Sequence, residues 1–114
     1  MPLTTGPIEN NGNQPANATN VRVKILNRTG GPLTGVVRVF RLNGTRLLLN
    51  SASYNISPNS SGFVTLTLFG GASQYETEII PNQTGGIYSA YGRTASGVII
   101  TAQRVLHSEL TPIL

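Results

Sequence analysis

His107 is the one imidazole in the chain, and it sits in the run His107-Ser108-Glu109, which contains the residue types of a nucleophilic triad. Adjacent residues on a strand point to opposite faces, so hydroxyl, imidazole and carboxylate cannot converge there. His107 and Glu109 would share a face, but two donors make a weak metal site, and a third would have to come from Glu76, Glu78 or the backbone. Glu76 and Glu78 form a second pair of interest, because paired carboxylates hydrolyse glycosides. Two residues apart on a strand, their Cα atoms lie about 6.5 to 7 Å apart. Both are expected to face solvent among Thr and Gln, where nothing raises one pKa to make an acid. The expectation is that they meet Arg side chains on a neighbouring strand or subunit.

The inventory narrows the chemistry further. There is no Cys, so there is no thiol nucleophile, disulfide or thiolate metal site. Asp is absent too, and the only acids are Glu9, Glu76, Glu78 and Glu109. With 11% charged residues, the surface must be neutral and polar, supplied by Asn, Ser, Thr, Gln and Gly. These features point away from an enzyme, with no catalytic, metal or cofactor site assigned. The formal charge of +4 favours anionic partners, but solubility also explains it. Arg22, Lys24, Arg38, Arg41 and Arg46 could line up as a stripe on early strands. Nucleic acid is nonetheless the weaker reading, since dedicated modules cluster their charge. The same charges can instead guard sticky segments such as Leu47-Leu48-Leu49 and Val98-Ile99-Ile100 against uncontrolled edge pairing.

The elements that carry these residues read as strands. Val21, Val23 and Ile25 alternate with Arg22 and Lys24, the pattern of a half-buried strand. Val36–Leu42 and Thr45–Leu49 flank Asn43-Gly44, predicting a hairpin with a type I′ turn. Its second arm should continue through Ala52, Tyr54 and Ile56 with a bulge or bend, until the run from Ser57 to Gly62 ends it. Val64–Leu68 follows and is closed by Gly70-Gly71; then come Tyr75–Ile79, Ile87–Gly92, Val98–Leu106 and a short extended piece over Ser108–Thr111. Of the aromatics, most should be core, and Tyr88 and Tyr91 lie on opposite faces of one strand. Sequons begin at Asn17, Asn27, Asn43, Asn55, Asn59 and Asn82, and are read as turn residues.

The expected fold is therefore all-β: an antiparallel two-sheet sandwich or jelly roll of about seven or eight strands, with an open barrel as the runner-up. Residues 21–114 form this domain. Residues 1–20, rich in Pro, Asn, Gly and Thr, read as an extended N-terminal arm, either a disordered tail or a segment that orders against a neighbouring subunit, with Leu3 and Ile8 as its sizeable apolar anchors. Neither a basic, apolar secretory leader nor a run of about 18 apolar residues is visible.

The segments Tyr75-Glu76-Thr77-Glu78-Ile79, Tyr91-Gly92-Arg93 and Ala102–Leu110 resemble small uncharacterised proteins of spore-forming Gram-positive bacteria. A polar arm before a Thr/Asn/Gly-rich β-domain is similar to spore-surface and endospore-appendage subunits. The resemblance implies a non-enzymatic subunit that assembles with itself into a fibre, appendage or coat layer at a spore or cell surface. Mother-cell synthesis would then remove the need for an export signal. Appendage subunits of that kind cross-link through Cys near the arm, which this chain lacks, so its contacts would be non-covalent. The inter-subunit contacts expected on this reading are Leu3 and Ile8 from the arm and Glu76 and Glu78 from the domain. The alternatives are a monomeric adhesive or ligand-binding sandwich, and a basic nucleic-acid-binding or capsid component.

Overall fold

The computed structural model describes residues 2–14, 16–70 and 72–113, so Gly71, part of the expected Gly70-Gly71 break, lies outside the described residues. The architecture is all-β, with two antiparallel sheets face to face. Six main strands build it: β3 (Asn20–Asn27), β4 (Leu33–Leu42), β5 (Arg46–Ile56), β6 (Ser60–Thr67), β7 (Gln74–Pro81) and β8 (Gly86–Arg93). Three two-residue strands complete it: β1 (Leu3–Thr4), β2 (Ile8–Glu9) and β9 (Thr111–Pro112). The smaller sheet has the order β6-β3-β8; the larger runs β5-β4-β7-β1-β9, with β2 also paired to β7.

Period-two alternation fills the space between the sheets. Val21, Val23 and Ile25 of β3 face Val37 and Val39 of β4 and Ile79 of β7 across the core, all at most 1% exposed. Tyr54 of β5 and Tyr88 of β8 join the two sheets at one end, their hydroxyls 2.8 Å apart and their rings edge to face. Gly35 makes room for this pair, because a Cβ there would lie 2.5 Å from the Tyr54 hydroxyl and from the Ile80 carbonyl. Asn27 closes the same end as a fully buried amide. It donates to the carbonyls of Gly31, Ile56 and Ser57 and accepts from the Thr29 amide and hydroxyl, so all its polar atoms are satisfied.

Several local expectations need correction. The β4–β5 hairpin forms, but its loop has three residues, Asn43–Thr45, and only Gly44 takes a positive φ, so the turn is not type I′. A register shift between Val39 and Phe40 accounts for the odd count, since it moves the pairing by one residue. The turn before β6 is shorter than expected: Asn59, at φ 51°, carries the bend, and Ser60 already pairs with Asn27. Val98–Leu106 is not a strand. Its backbone pairs with β8 at the bridges Arg93–Ile99 and Ala90–Val105, between which a 3₁₀ turn over Thr101–Gln103 swings Gln103 inward. Buried polar bonds to Gln103 outweigh the β propensity of the flanking residues. His107–Glu109 is likewise a 3₁₀ turn rather than extended chain.

Candidate assembly site

The N-terminal segment is seated on its own domain. Leu3 and Thr4 of β1 stand opposite Ile79 and Glu78 of β7, and Ile8 and Glu9 of β2 stand opposite Tyr75 and Gln74. Gly6, at φ 70°, makes the bend that separates the two short strands. Between them the Thr5 amide donates to the Thr77 carbonyl at 3.0 Å, and the Thr77 amide donates back to the Thr5 hydroxyl. The chain end then adds β9 beside β1.

A buried amide network locks this seat. Asn10 is 2% exposed, donates to the carbonyls of Ala18 (3.0 Å) and Ala72 (2.8 Å), and accepts from the Ala18 amide. Gln103 Nε2 donates to Asn10 Oδ1 at 2.9 Å and to the Glu9 carbonyl, while its Oε1 accepts from the Tyr75 hydroxyl at 2.7 Å. Arm, C-terminal turn and β7 are thus joined in the interior through three polar side chains, Asn10, Gln103 and Tyr75, and the carbonyls they bind. Burial pushes the Tyr75 phenol well above its ordinary pKa, which keeps it a donor. Gly92 is required beneath the network, because a Cβ there would collide with Gln103 Oε1 and lie 2.9 Å from both Ala18 Cβ and the Tyr75 hydroxyl.

Glu76 and Glu78 do meet an arginine, on the outer face of the larger sheet. Arg46 of β5 reaches across β4, lays its guanidinium over the Phe40 ring at 3.6 Å, and donates to Glu76 Oε1 (2.6 Å) and Glu78 Oε2 (3.2 Å). Thr4 of the arm donates its hydroxyl to the other Glu76 oxygen. The hydrogen bond to Glu76 is the main cause that raises the Arg46 pKa further. Glu76 is 8% exposed, against the expectation of a solvent-facing carboxylate, since Phe40, Arg46 and Thr4 close over it.

The four residues expected at a subunit boundary, Leu3, Ile8, Glu76 and Glu78, are therefore seated against one another's strands within one chain. The physical reason is proximity. The β7 edge left open by β4 lies within reach of the arm of the same chain, which needs no second molecule to fill it.

The other side of the sandwich is different. Among the described residues, β5 pairs only with β4 and β6 only with β3, so both sheets end there in an unpaired strand. On β5 this edge carries Leu47 and Leu48, 48% and 49% exposed. On the opposite side, β1, β2 and β9 cover the larger sheet, and the C-terminal segment bridges to β8 of the smaller one.

The remaining sequence candidates are dispersed. His107 Nδ1 accepts from the Tyr88 amide and its ring stacks on Tyr88, whereas Glu109 accepts from the Leu106 amide, so the two serve local structure. The cations do not form the expected stripe. Arg22 and Lys24 lie on the smaller sheet, while Arg38, Arg41 and Arg46 lie on the β4–β5 hairpin of the larger. Of the sequon residues, Asn27 and Asn55 are strand residues rather than turn residues, and Asn27 Nδ2 is fully engaged. Residues that sequence reasoning missed are Asn10, Asn27 and Gln103, whose roles depend on contacts distant in the chain.

No protein family model matches this chain, and no curated protein matches it. A solved structure, the crystal structure of Thermotoga maritima 1070, is similar in fold: it superimposes with a TM-score of 0.55 over 82% of this chain and 80% of that one, at 12% sequence identity.

Proposed function

We propose that this protein is a non-enzymatic structural subunit that associates with copies of itself through the open edge formed by β5. The observation that carries this reading is the asymmetry of the sandwich. One side is covered by both chain ends, and the other exposes an eleven-residue strand bearing Leu47 and Leu48. An unpaired edge of this length, apolar at Leu47 and Leu48, is a template for a second extended segment, which supplies backbone hydrogen bonds and covers the leucines. Covering the half-exposed part of each leucine contributes about 1 kcal/mol. The short loops and the polar, Asp- and Cys-free composition agree with a packing role at a surface layer or fibre.

Leu48→Lys tests the reading. Leu48 lies opposite Phe40 and is half exposed, so a lysine leaves the fold intact and blunts the edge with charge. Light scattering after size exclusion should show assemblies for the unaltered chain and monomers for the variant. A monomeric unaltered chain at high concentration, or unchanged assembly in the variant, would sink the proposal.

A further inference from the structure

The outer face of the smaller sheet gathers cations that are far apart in the sequence. The registers of β6, β3 and β8 set them in rows: Phe63, Lys24 and Ser89 in one, Thr65, Arg22 and Tyr91 in the next, and Thr67, Asn20 and Arg93 in a third. Lys24 and Arg22 are two residues apart, about 6.5 Å along the strand. Arg93 continues the series on the adjacent strand, one row further on. None of these three cations has a carboxylate partner among the described residues, whereas Glu76 and Glu78 are held by Arg46 on the opposite sheet.

Phe63 is 52% exposed, with the Arg22 guanidinium 4.1 Å and the Lys24 ammonium 5.1 Å from its ring centroid. Arg22 is also held by a hydrogen bond from Nε to the Thr65 hydroxyl. The loop from Thr94 to Gly97 joins Thr65, Thr67 and Asn20 around Arg93 to wall a polar pocket of about 350 Å³. Charged donors, hydroxyls and aromatic rings dominate these three rows, with the exposed Leu26 and Ile87 in the row beyond Lys24, and no strand of the sheet contributes a carboxylate.

We propose that this face binds single-stranded nucleic acid, with Lys24, Arg22 and Arg93 tracking successive phosphates and the Phe63–Arg22 stack receiving a base. Planar bases stack on aromatic rings and on guanidinium planes, and a single strand leaves both bases and phosphates free to reach a flat sheet. A neutral polysaccharide would call for carboxylate acceptors toward its hydroxyls, which the sheet does not supply. Nucleic acid is the least favoured of the three readings of the sequence, since dedicated modules cluster their charge; folding sets Arg22, Lys24 and Arg93 on one surface.

The test is fluorescence anisotropy with a labelled oligothymidylate, an equal-length duplex and a heparin-like sulfated polysaccharide as competitors. Three phosphate contacts on a single strand give a slope of log affinity against log salt of about −2, so binding should weaken about twentyfold between about 50 and 200 mM salt. R22Q/K24Q should bring the slope to about −0.7. Phe63→Leu should weaken binding about tenfold with the slope unchanged. Arg38→Gln, on the other sheet, should change neither. Absence of binding at about 50 mM salt overturns the proposal. So does tighter binding of the duplex or the polysaccharide, or an Arg38→Gln effect equal to that of R22Q/K24Q.

Discussion

Asn10→Ala removes the side chain that joins the arm to the interior. In the folded chain its amide group donates to two carbonyls and accepts from the Ala18 amide and from Gln103 Nε2, all in buried surroundings. Alanine orphans two buried donors and two carbonyls. Each orphaned donor costs about 1–3 kcal/mol, so the expected destabilisation is about 3 kcal/mol. For a domain of this size that lowers Tm by about 12 °C. Urea denaturation gives the free energy, and hydrogen exchange locates it. The Thr5 and Asn10 backbone amides, bonded to the Thr77 and Ser73 carbonyls, should lose protection before the β3–β8 ladder does. A cycle with Gln103→Ala should reveal a coupling of about 1 kcal/mol or more, because the two side chains touch. A loss below about 1 kcal/mol, or unchanged protection of those two amides, would refute the reasoning that this network holds the arm.

Gly92→Ala should destabilise by about 2 kcal/mol or more in urea titration, because the added methyl meets Gln103, Ala18 and the Tyr75 hydroxyl in a filled interior; a neutral result would contradict the close packing. Stability should fall as pH rises above about 10. Burial raises the phenol pKa values of Tyr75 and Tyr54 in the folded chain, so the unfolded chain releases these protons first, and each tyrosine adds a slope approaching about 1.4 kcal/mol per pH unit. Tyr54→Phe should remove one share of that slope, and an identical alkaline profile would count against it. Arg46→Met should cost about 1 kcal/mol, less in high salt, because Arg46 is half exposed although Glu76 beneath it is covered; chemical denaturation at two ionic strengths checks this.

The strand plan was legible wherever one face is buried and the other wet. Val21, Val23 and Ile25 show the alternation plainly, and the Asn43-Gly44 hairpin was visible from its turn residues. The bulge that changed its loop was foreseen only in kind, because a register shift depends on which residues the partner strand presents. Ile99 and Ile100 read as strand by propensity, yet the chain there bends so that Gln103 can reach Tyr75 and Asn10, contacts spanning 28 and 93 residues. Local patterns carry no trace of such pairings. The fate of the arm was hidden for the same reason: Leu3 and Ile8 were recognisable as anchors, but whether their edge belongs to the same chain or another is set by topology. Glu76 and Glu78 were correctly read as arginine partners, while the burial of Glu76 depended on Phe40 and Arg46 closing over it, and these three residues lie on three different strands.

Hydrogen exchange of the β5 backbone, compared between dilute and concentrated protein, bears most directly on self-association through the open edge. The account predicts that β5 amides turned away from β4 gain protection in concentrated protein, while amides of β1, already held between β7 and β9, change little. Assembly with β5 still exchanging freely would contradict the edge-pairing account, and so would protection that rises on the β1–β9 side instead.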